Sequence, residues 1–384
     1  AFRRMQNKTQ VFPLPGSVFV HNRLTHSLEV SSVGRSLGAD VAALLQQRDL
    51  AAGERTPEAL GAIVSAACLA HDMGNPPFGH SGERAIRSFF AEGQGREWEK
   101  MLPKSVWTDI VNFDGNANAF RLLTHQFNGH RAGGFVMTYA TLAAIVKYPF
   151  ASDCCRGKSK FGFFQSEAAD FQRIAHELGL PNCAAPGESL RFARHPLVYL
   201  VEAADDICYQ IMDLEDAHKL RLLSDEQAEA LLLAFFAPEE RERLRSAYPM
   251  VTDANDRMVY YRSSIINALE RACVNIFVDN EAAILAGTFE GSLIDHPPEP
   301  LLGAYQRCAA LAKEKIYRSK EVMDVDLAGY HIIYTLLELM TEAVLAPQKA
   351  YSQMLLGMAS KQYELRAERL EVRLMAVLDY LSGM

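Results

Sequence analysis

The chain has 384 residues, of which 49% are hydrophobic and 22% are charged, as in a folded globular protein. No stretch approaches the roughly 20 apolar residues of a membrane span, and no signal peptide is visible. The net charge of −8 argues against broad electrostatic binding of nucleic acid, although a local basic pocket is compatible with it. Seven cysteines without metal-ligand spacing favour a reducing cytoplasm over a disulfide framework.

Helical periodicity dominates the chain after a basic lead-in over residues 1–24. The first helix is predicted from about Thr25, with Thr25 as its N-cap, and a polar loop follows over residues 46–57. Residues 91–110 predict a variable connection, and a turn over residues 113–118 precedes another helix. Strand-like alternation is nearly absent, so an all-α fold is predicted. Further helices are predicted at about 138–147, 166–179, 197–219, 225–245, 256–287, 301–316, 329–345 and 360–381.

The stretch from residue 58 to residue 83 organises the chain. Its first half is a nearly unbroken apolar run, about four helical turns long, that ends at His71-Asp72. The following Pro76 and Pro77 cannot continue a helix, because proline lacks the N–H donor. We therefore expect a rigid loop after the His-Asp pair, carrying His80 and Glu83 back towards it.

The predicted helix over residues 197–219 carries a polar stripe. Asp205, Tyr209 and Asp213 lie at positions i, i+4 and i+8, and therefore share one face of a helix that is otherwise apolar. Burying two acids and a phenol on a plain core face would be costly. The stripe predicts a wet or metal-bearing pocket.

Two imidazoles and two carboxylates form the candidate ligand set, His26, His71, Asp72 and Asp205. These donors suit Mg²⁺, Mn²⁺, Fe²⁺ or Zn²⁺. Taken alone, His26 fits a hydrogen-bonded core histidine better than a metal ligand. Neighbouring helical side chains also diverge by roughly 100°, so the His71-Asp72 pair is not automatically one site.

The sequence resembles the deoxyguanosinetriphosphate triphosphohydrolase family of HD-domain phosphohydrolases over essentially its whole length. The four-residue pattern His26, His71-Asp72, Asp205 resembles the HD signature. The more specific matches are FRRMQNKTQVFPL, RLTHSLEV, AHDMGNPPFGHSGE, FDGNANAFR, VKYPF, KFGFF, EAADDICYQIMDLEDA, IFVDNEAAILAGTF and DYLSGM. The resemblance implies that the family sequence continues beyond residue 384.

The resemblance implies an HD-domain catalytic core over residues 1–220 and a C-terminal helical region over residues 221–384, packed as one compact unit. It implies metal-dependent hydrolysis of dGTP, and of other deoxynucleoside triphosphates, to the deoxynucleoside and tripolyphosphate. Such an activity contributes to control of dNTP pools. Mg²⁺ or Mn²⁺ is the expected cofactor, with Fe²⁺, Co²⁺ or Zn²⁺ as alternatives.

The resemblance also implies roles for individual residues. His80 is the expected general acid and Glu83 its orienting partner, while the HD residues bind the metal. The phosphate-binding residues implied are Arg3, Lys147 and Lys160, with Asn116 as a further phosphate donor and Tyr148 as a further substrate contact. Tyr209 and Asp213 are expected at the sugar, where the Tyr209 ring would exclude a 2′-hydroxyl. The remaining expected substrate contacts are Gln10, Val11, Tyr317, Asp326 and Arg373; Asp326 replaces the family's more usual Glu.

Two other functions are weighed against this one. Another HD phosphohydrolase would share the four ligands, but not GNPPFGHSGE or the Tyr209/Asp213 spacing. A regulatory protein that binds a nucleotide effector or single-stranded nucleic acid would use a local strip of Arg366, Arg369 and Arg373. We expect a closed homo-oligomer, a hexamer or another assembly, with part of residues 256–287 between subunits. We expect no membrane association.

Overall fold

The computed structural model describes residues 2–12, 19–48, 57–155, 157, 159–246 and 253–384. Within these residues, extended structure is limited to isolated bridges such as Thr9 with Asn22. The predicted all-α fold is confirmed. No helix in the described part of the chain has both the length and the hydropathy needed to cross a bilayer.

The α-helices are α1 (Arg23–Arg48), α2 (Pro57–Ala70), α3 (Gly79–Ala91), α4 (Lys104–Val111), α5 (Gly115–Thr124), α6 (Tyr139–Ile145), α7 (Ala168–Glu177), α8 (Val198–Lys219), α9 (Asp225–Leu233), α10 (Pro238–Ser246), α11 (Ala254–Asp279), α12 (Glu281–Leu285), α13 (Leu301–Leu311), α14 (Lys320–Leu345), α15 (Ala350–Met358) and α16 (Leu370–Ser382). Short 3₁₀ turns lie at Phe2–Met5, Gln94–Lys100, Ser152–Cys154, Gln165–Glu167 and Leu293–Asp295. A π-helical turn over Ala312–Ile316 follows α13.

Several helix boundaries differ from those predicted. Helix α1 begins at Arg23, because the Asn22 side chain accepts a hydrogen bond from the Thr25 N–H at 2.9 Å, as a capping residue does. The helix predicted over 225–245 is divided into α9 and α10, with Pro238 starting the second. The helix predicted over 256–287 ends at Asp279, and α15 was not predicted.

The helices form two compact units, each built from separate segments of the chain. The first unit comprises Ala1–Lys8, Ala70–His195 and Asp324–Met384. The second comprises Thr9–Leu69 and Pro196–Met323. The boundary expected near residue 220 falls inside the second unit.

The second unit is built around α1, α8 and α11, which pack against one another. Their buried side chains include Leu37, Ile207 and Ile265, each fully excluded from solvent. Helix α2 crosses α1 at a glycine contact, since a Cβ on Gly38 would lie 2.9 Å from the Gly61 Cα. Close approach of the two backbones here requires residues without side chains.

The first unit has a core of aromatic and aliphatic side chains from α3, α14 and α16, including Phe89, Phe90 and Leu337. A buried ion-pair network also joins its elements. The Arg121 guanidinium on α5 lies 2.6 Å from a Glu167 oxygen and 2.8 Å from an Asp379 oxygen on α16. All three side chains are buried, so each charge depends on the others for compensation.

Candidate active site

His26 and Asp205 meet inside the second unit. His26 lies in the first turn of α1 and is buried, while Asp205 projects from the middle of α8, which packs against α1. The His26 Nε2 atom lies 3.0 Å from Asp205 Oδ1. The contact pairs an imidazole nitrogen and a carboxylate oxygen, two ordinary donors to divalent metals.

Helix α2 ends at Ala70, and His71 follows directly. His71 belongs to the first unit, whereas His26 and Asp205 belong to the second. The fourth predicted ligand, Asp72, has an oxygen 3.7 Å from His71 Nε2 and accepts a hydrogen bond from the Asn75 side chain. The structure thus pairs the predicted ligands within each unit, His26 with Asp205 and His71 with Asp72.

The segment after His71 differs from the predicted loop. Phe78 adopts a left-handed backbone conformation, with φ of 63°, and α3 begins at Gly79. His80 and Glu83 therefore lie in the first two turns of a helix, three residues apart on one side of it. The prediction of a loop carrying these residues is wrong. The chain bends at Asn75–Phe78 and re-enters a helix earlier than the two prolines suggested.

His80 and Glu83 form a polarised pair. The His80 Nδ1 atom lies 3.0 Å from Glu83 Oε2, and the His80 side chain is 76% exposed whereas the Glu83 side chain is 2% exposed. Because Nδ1 faces the carboxylate, Nε2 is the ring nitrogen presented to a ligand. A proton donor held at the surface by a buried carboxylate is suited to acid–base chemistry.

The Glu83 carboxylate lies in a network that favours its charged form. Burial alone would raise its pKa, but the His80 hydrogen bond and the charge of Lys160 hold the pKa of Glu83 well below its usual range. The Gly115 N–H also donates to Glu83 Oε1 at 2.7 Å. Arg87 lies 3.7 Å from the other carboxylate oxygen. Glu83 is therefore ionised at neutral pH and can stabilise a cationic His80.

Asp114 is a member of this network that the sequence did not single out. Its carboxylate caps α5 by accepting from the Asn116 N–H, and Lys160 Nζ lies 3.2 Å from Asp114 Oδ1. Burial and the neighbouring Glu83 charge raise the pKa of Asp114, while Lys160 opposes that shift. An Asp directly before a Gly-Asn at a helix start is a recognisable N-cap signal. That signal was available in the Phe113-Asp114-Gly115 sequence.

Tyr209, Asp213 and Tyr317 form a second polar group, within the second unit. The Tyr209 and Tyr317 rings stack with centroids 5.8 Å apart, and the Tyr317 hydroxyl donates to Asp213 Oδ2 at 2.8 Å. Burial raises the pKa of Asp213 to about 8, although the Tyr317 hydrogen bond opposes the shift. The polar stripe predicted on α8 thus acquires a tyrosine partner from a distant part of the chain.

A buried histidine that precedes α1, His21, contacts α8 close to this group. The His21 backbone N–H and ring Nδ1 both contact Asp216 Oδ2, at 2.7 and 2.8 Å, and Nε2 lies 2.9 Å from Glu29. Burial lowers the pKa of His21, but the two carboxylates raise it to about 10. His21 is therefore cationic at neutral pH, and its charge partly offsets the burial of Asp213. Sequence reasoning missed this residue.

Comparison with known proteins places the chain in a family. The family model described as HD domain matches residues 23–113. A protein of Pseudomonas aeruginosa strain LESB58, described as deoxyguanosinetriphosphate triphosphohydrolase-like, is 42% identical over 90% of this chain and 77% of its own length. Proteins with the same description from Synechocystis and Listeria monocytogenes are 36% and 33% identical over the whole of this chain and 88% of their own lengths.

The chain belongs to the deoxyguanosinetriphosphate triphosphohydrolase-like family. This confirms the resemblance inferred from the sequence motifs. Membership covers the HD segment, with His26, His71 and Asp72, as well as the later α8 segment with Asp205.

Asp326 and Arg373, two of the expected substrate contacts, both have polar partners within the first unit. Asp326 pairs with Arg84 at 3.0 Å, and its backbone oxygen accepts from Ser81 on α3. Arg373 donates to three backbone oxygens, among them that of Val344 at 2.9 Å. The Arg373 guanidinium thus hydrogen-bonds main-chain oxygens at the end of α14 and in the segment before α16.

The expected residues of the lead-in and of the segment after α6 are partly buried, except Arg3, which is exposed. Gln10 and Val11 are half-buried, and the Gln10 Oε1 atom is buried without a hydrogen-bond partner among the described residues. Lys147 and Tyr148 follow α6, with the Lys147 Nζ atom 5.9 Å from the Tyr148 ring centroid.

Proposed function

We propose that this protein hydrolyses deoxynucleoside triphosphates, dGTP among them, to the deoxynucleoside and inorganic tripolyphosphate. The observation that carries the proposal is the exposed His80 imidazole bonded through Nδ1 to the buried Glu83 carboxylate. Membership of a family described as deoxyguanosinetriphosphate triphosphohydrolase-like supports the choice of substrate.

His26, His71, Asp72 and Asp205 would hold the divalent ion, of which Mg²⁺ or Mn²⁺ is the proposed identity. The contacts of His26 with Asp205 and of His71 with Asp72 support their role. When bound, the ion would polarise an α-phosphate oxygen and acidify a water molecule. Mixed nitrogen and oxygen donors also admit Fe²⁺, Co²⁺ or Zn²⁺.

His80 would protonate the leaving group. Water attacks the α-phosphorus, the bond from phosphorus to the 5′-oxygen breaks, and the His80 Nε2 proton passes to that oxygen. An alkoxide is a poor leaving group, so this proton transfer is where general acid catalysis contributes most. Glu83 keeps the ring oriented and stabilises its protonated form, and it is a positioning residue rather than a catalytic one.

Basic side chains of the first unit, Arg3, Lys147 and Lys160, would neutralise part of the tripolyphosphate charge, which is about four negative charges. Asn116 would donate a hydrogen bond to a phosphate oxygen, and Tyr148 is proposed as a further substrate contact. Burial lowers the pKa of Lys160, but Glu83 and Asp114 raise it above its usual value, which supports a permanent positive charge. Arg373 is the weakest of the proposed contacts, because its guanidinium already donates to backbone oxygens.

Tyr209 and Asp213 would recognise the sugar, with Asp213 accepting from the 3′-hydroxyl and the Tyr209 ring occupying the space of a 2′-hydroxyl. Steric exclusion of an added hydroxyl discriminates better than an apolar pocket alone. Tyr317 would position both through its stacking and hydrogen bond. Gln10, Val11 and Asp326 are the proposed contacts near the base.

A turnover panel tests the proposal. Each of the four dNTPs, alone and in pairs, is incubated with Mg²⁺ or Mn²⁺, and the phosphorus-containing product is identified by ³¹P NMR. Release of tripolyphosphate with the free deoxynucleoside is the expected result. Release of orthophosphate or pyrophosphate instead would assign the chain a different HD phosphohydrolase reaction, and no turnover of any dNTP would refute the proposal.

We also propose that the protein forms a closed homo-oligomer, such as a hexamer. Large exposed apolar side chains on α15 support this, with Tyr351, Met354 and Met358 exposed by 59%, 71% and 76%. Within the region expected to lie between subunits, Val259 and Leu285 are exposed. Light scattering at micromolar concentration should give particles larger than the 42.7 kDa chain, and particles of that mass alone would refute it.

A further inference from the structure

The loop between the proposed metal ligands His71-Asp72 and helix α3 is held by a lysine from the beginning of the chain. The Lys8 side chain is buried, and its Nζ atom donates to the Asn75 backbone oxygen at 2.8 Å. The same ammonium donates to the Ser382 backbone oxygen at 2.6 Å. All of these residues belong to the first unit. One buried cation therefore joins the loop to a helix end that lies more than 300 positions away in the sequence.

The end of α16 is a favourable place for the Lys8 charge. Ser382 is the last residue of α16, and the last four carbonyl groups of a helix have no partner within the helix. These carbonyls also form the negative end of the helix dipole, which stabilises a nearby cation. Since burying an unpaired charge is costly, the contact with α16 explains how an ammonium can lie beneath the loop and bind the Asn75 oxygen.

Asn75 connects this restraint to a proposed metal ligand. Its side-chain amide donates to Asp72 Oδ1, and its backbone N–H donates to the Asp72 backbone oxygen at 3.3 Å. Gly115 packs so closely against Asn75 Oδ1 that a Cβ on Gly115 would overlap that atom, which limits movement of the amide on that side. The neighbouring Gly74 oxygen accepts from the Asn118 side chain at 2.6 Å. The orientation of the Asp72 carboxylate therefore depends on where the Asn75 backbone is held.

We propose that Lys8 is a positioning residue for the metal ligand Asp72 and acts on it through Asn75. The inference rests on the metal ligands of the proposed function, but not on the identity of the substrate. Hydrogen-bond partners of a ligating carboxylate orient it, and losing such a partner typically weakens metal binding about 10- to 100-fold. Lys8 acts through a second residue, so its loss should have an effect near the lower end of that range.

Binding of Mn²⁺ to the full chain without substrate tests the inference, with free Mn²⁺ measured by electron paramagnetic resonance. Lys8→Met keeps an unbranched side chain but removes the ammonium, and should raise the Kd for Mn²⁺ about tenfold. Asn75→Ala removes the amide that holds Asp72 and should raise the Kd about 10- to 100-fold. Because the two residues act in series, the double variant should bind Mn²⁺ no more weakly than Asn75→Ala.

Lys361→Met is the matched control, because it makes the same change at an exposed lysine of the same unit and should leave the Kd unchanged. Urea unfolding of the metal-free proteins separates positioning from a purely structural role. If Lys8→Met lowers the free energy of unfolding but binds Mn²⁺ like the control, the inference is overturned, as it is if the effects of Lys8→Met and Asn75→Ala simply add.

Asn75→Ala keeps both backbone bonds of Lys8, so it tests the connection even if Lys8→Met does not fold. Binding of Mn²⁺ by Asn75→Ala with the affinity of the wild type would overturn the inference alone. A wild-type chain that binds no Mn²⁺ would refute the proposed metal ligands and the inference together. The dNTP panel reports separately on the reaction, because the binding experiment contains no substrate.

Discussion

Glu83→Gln is the most informative substitution in the candidate active site. Glu83 accepts two hydrogen bonds, from His80 Nδ1 at 3.0 Å and from the Gly115 N–H at 2.7 Å. Glutamine has one acceptor oxygen, so if that oxygen keeps the Gly115 bond, the amide NH₂ faces His80. The ring must then present Nδ1 as an acceptor, and a protonated His80 loses its counter-charge.

The size of the effect follows from the lost bond. A hydrogen bond to a charged group contributes about 1.5–3 kcal/mol, and each 1.4 kcal/mol on the barrier is about tenfold in rate. We therefore expect kcat for dGTP to fall about 10- to 150-fold in Glu83→Gln. The kcat of His80→Ala for dGTP should fall roughly 10²–10⁴-fold, the range for general acid catalysis. The double variant should be little worse than His80→Ala, since two residues acting as one unit are not additive.

The assay is steady-state release of tripolyphosphate, with metal content measured in parallel. Glu177→Gln and His176→Ala on α7 are matched exposed controls and should retain full activity. A substrate with a good leaving group on the α-phosphorus should partly rescue His80→Ala, because it no longer needs the proton. If rescue is absent and bound metal falls with the substitution, His80 supports the metal site and the reasoning is refuted.

Four further predictions concern other parts of the molecule. Asp205→Ala should abolish both turnover and stoichiometric Mn²⁺ binding while circular dichroism stays helical; retained metal with normal activity would remove it from the ligand set. Tyr209→Ala should admit ribonucleoside triphosphates, so the ratio of kcat/KM for GTP and dGTP should rise, and an unchanged ratio would contradict its role at the sugar. Arg121→Met leaves two buried carboxylates without their counter-charge and should lower the free energy of urea unfolding by about 3–5 kcal/mol. An equal effect from the exposed Arg96→Met would contradict that cause. Burial raises the pKa of Asp109 to about 7, although hydrogen bonds from Gln165 and Ser152 oppose the shift. The folded state therefore keeps a proton that the unfolded state releases near pH 4, and the contribution to stability is lost as pH rises from about 4 to 7. Relative to Asp109→Asn, the wild type should lose unfolding free energy over that interval, and a parallel pH dependence of the two proteins would refute the assignment.

The sequence predicted those features of the fold and site that depend on local pattern. The apolar run of α2 and the Pro-Pro segment after it located His71 at a helix end, and the spacing on α8 placed Asp205, Tyr209 and Asp213 on one stripe. Local pattern could not supply the hydrogen bond from Tyr317 to Asp213, because these residues are 104 positions apart in the chain. Local pattern likewise cannot show which distant segments pack into each unit, since long-range packing leaves no periodicity in the sequence.

The turn before α3 shows how tertiary packing overrides local preference at the acid–base pair. Pro76, Pro77 and Phe78 favour a loop, and a left-handed phenylalanine costs of order 1–3 kcal/mol. The Phe78 ring packs directly against Gly329, because a Cβ on Gly329 would lie only 2.3 Å from the ring. Gly82 likewise lets the Pro77 carbonyl approach, because its Cβ would lie 2.3 Å from that oxygen. These contacts stabilise the strained turn, start α3 at Gly79 and so direct His80 towards solvent above the buried Glu83. The orientation of the proposed general acid is therefore a property of packing in the first unit, which a reading of the Pro-Pro-Phe-Gly sequence alone could not provide.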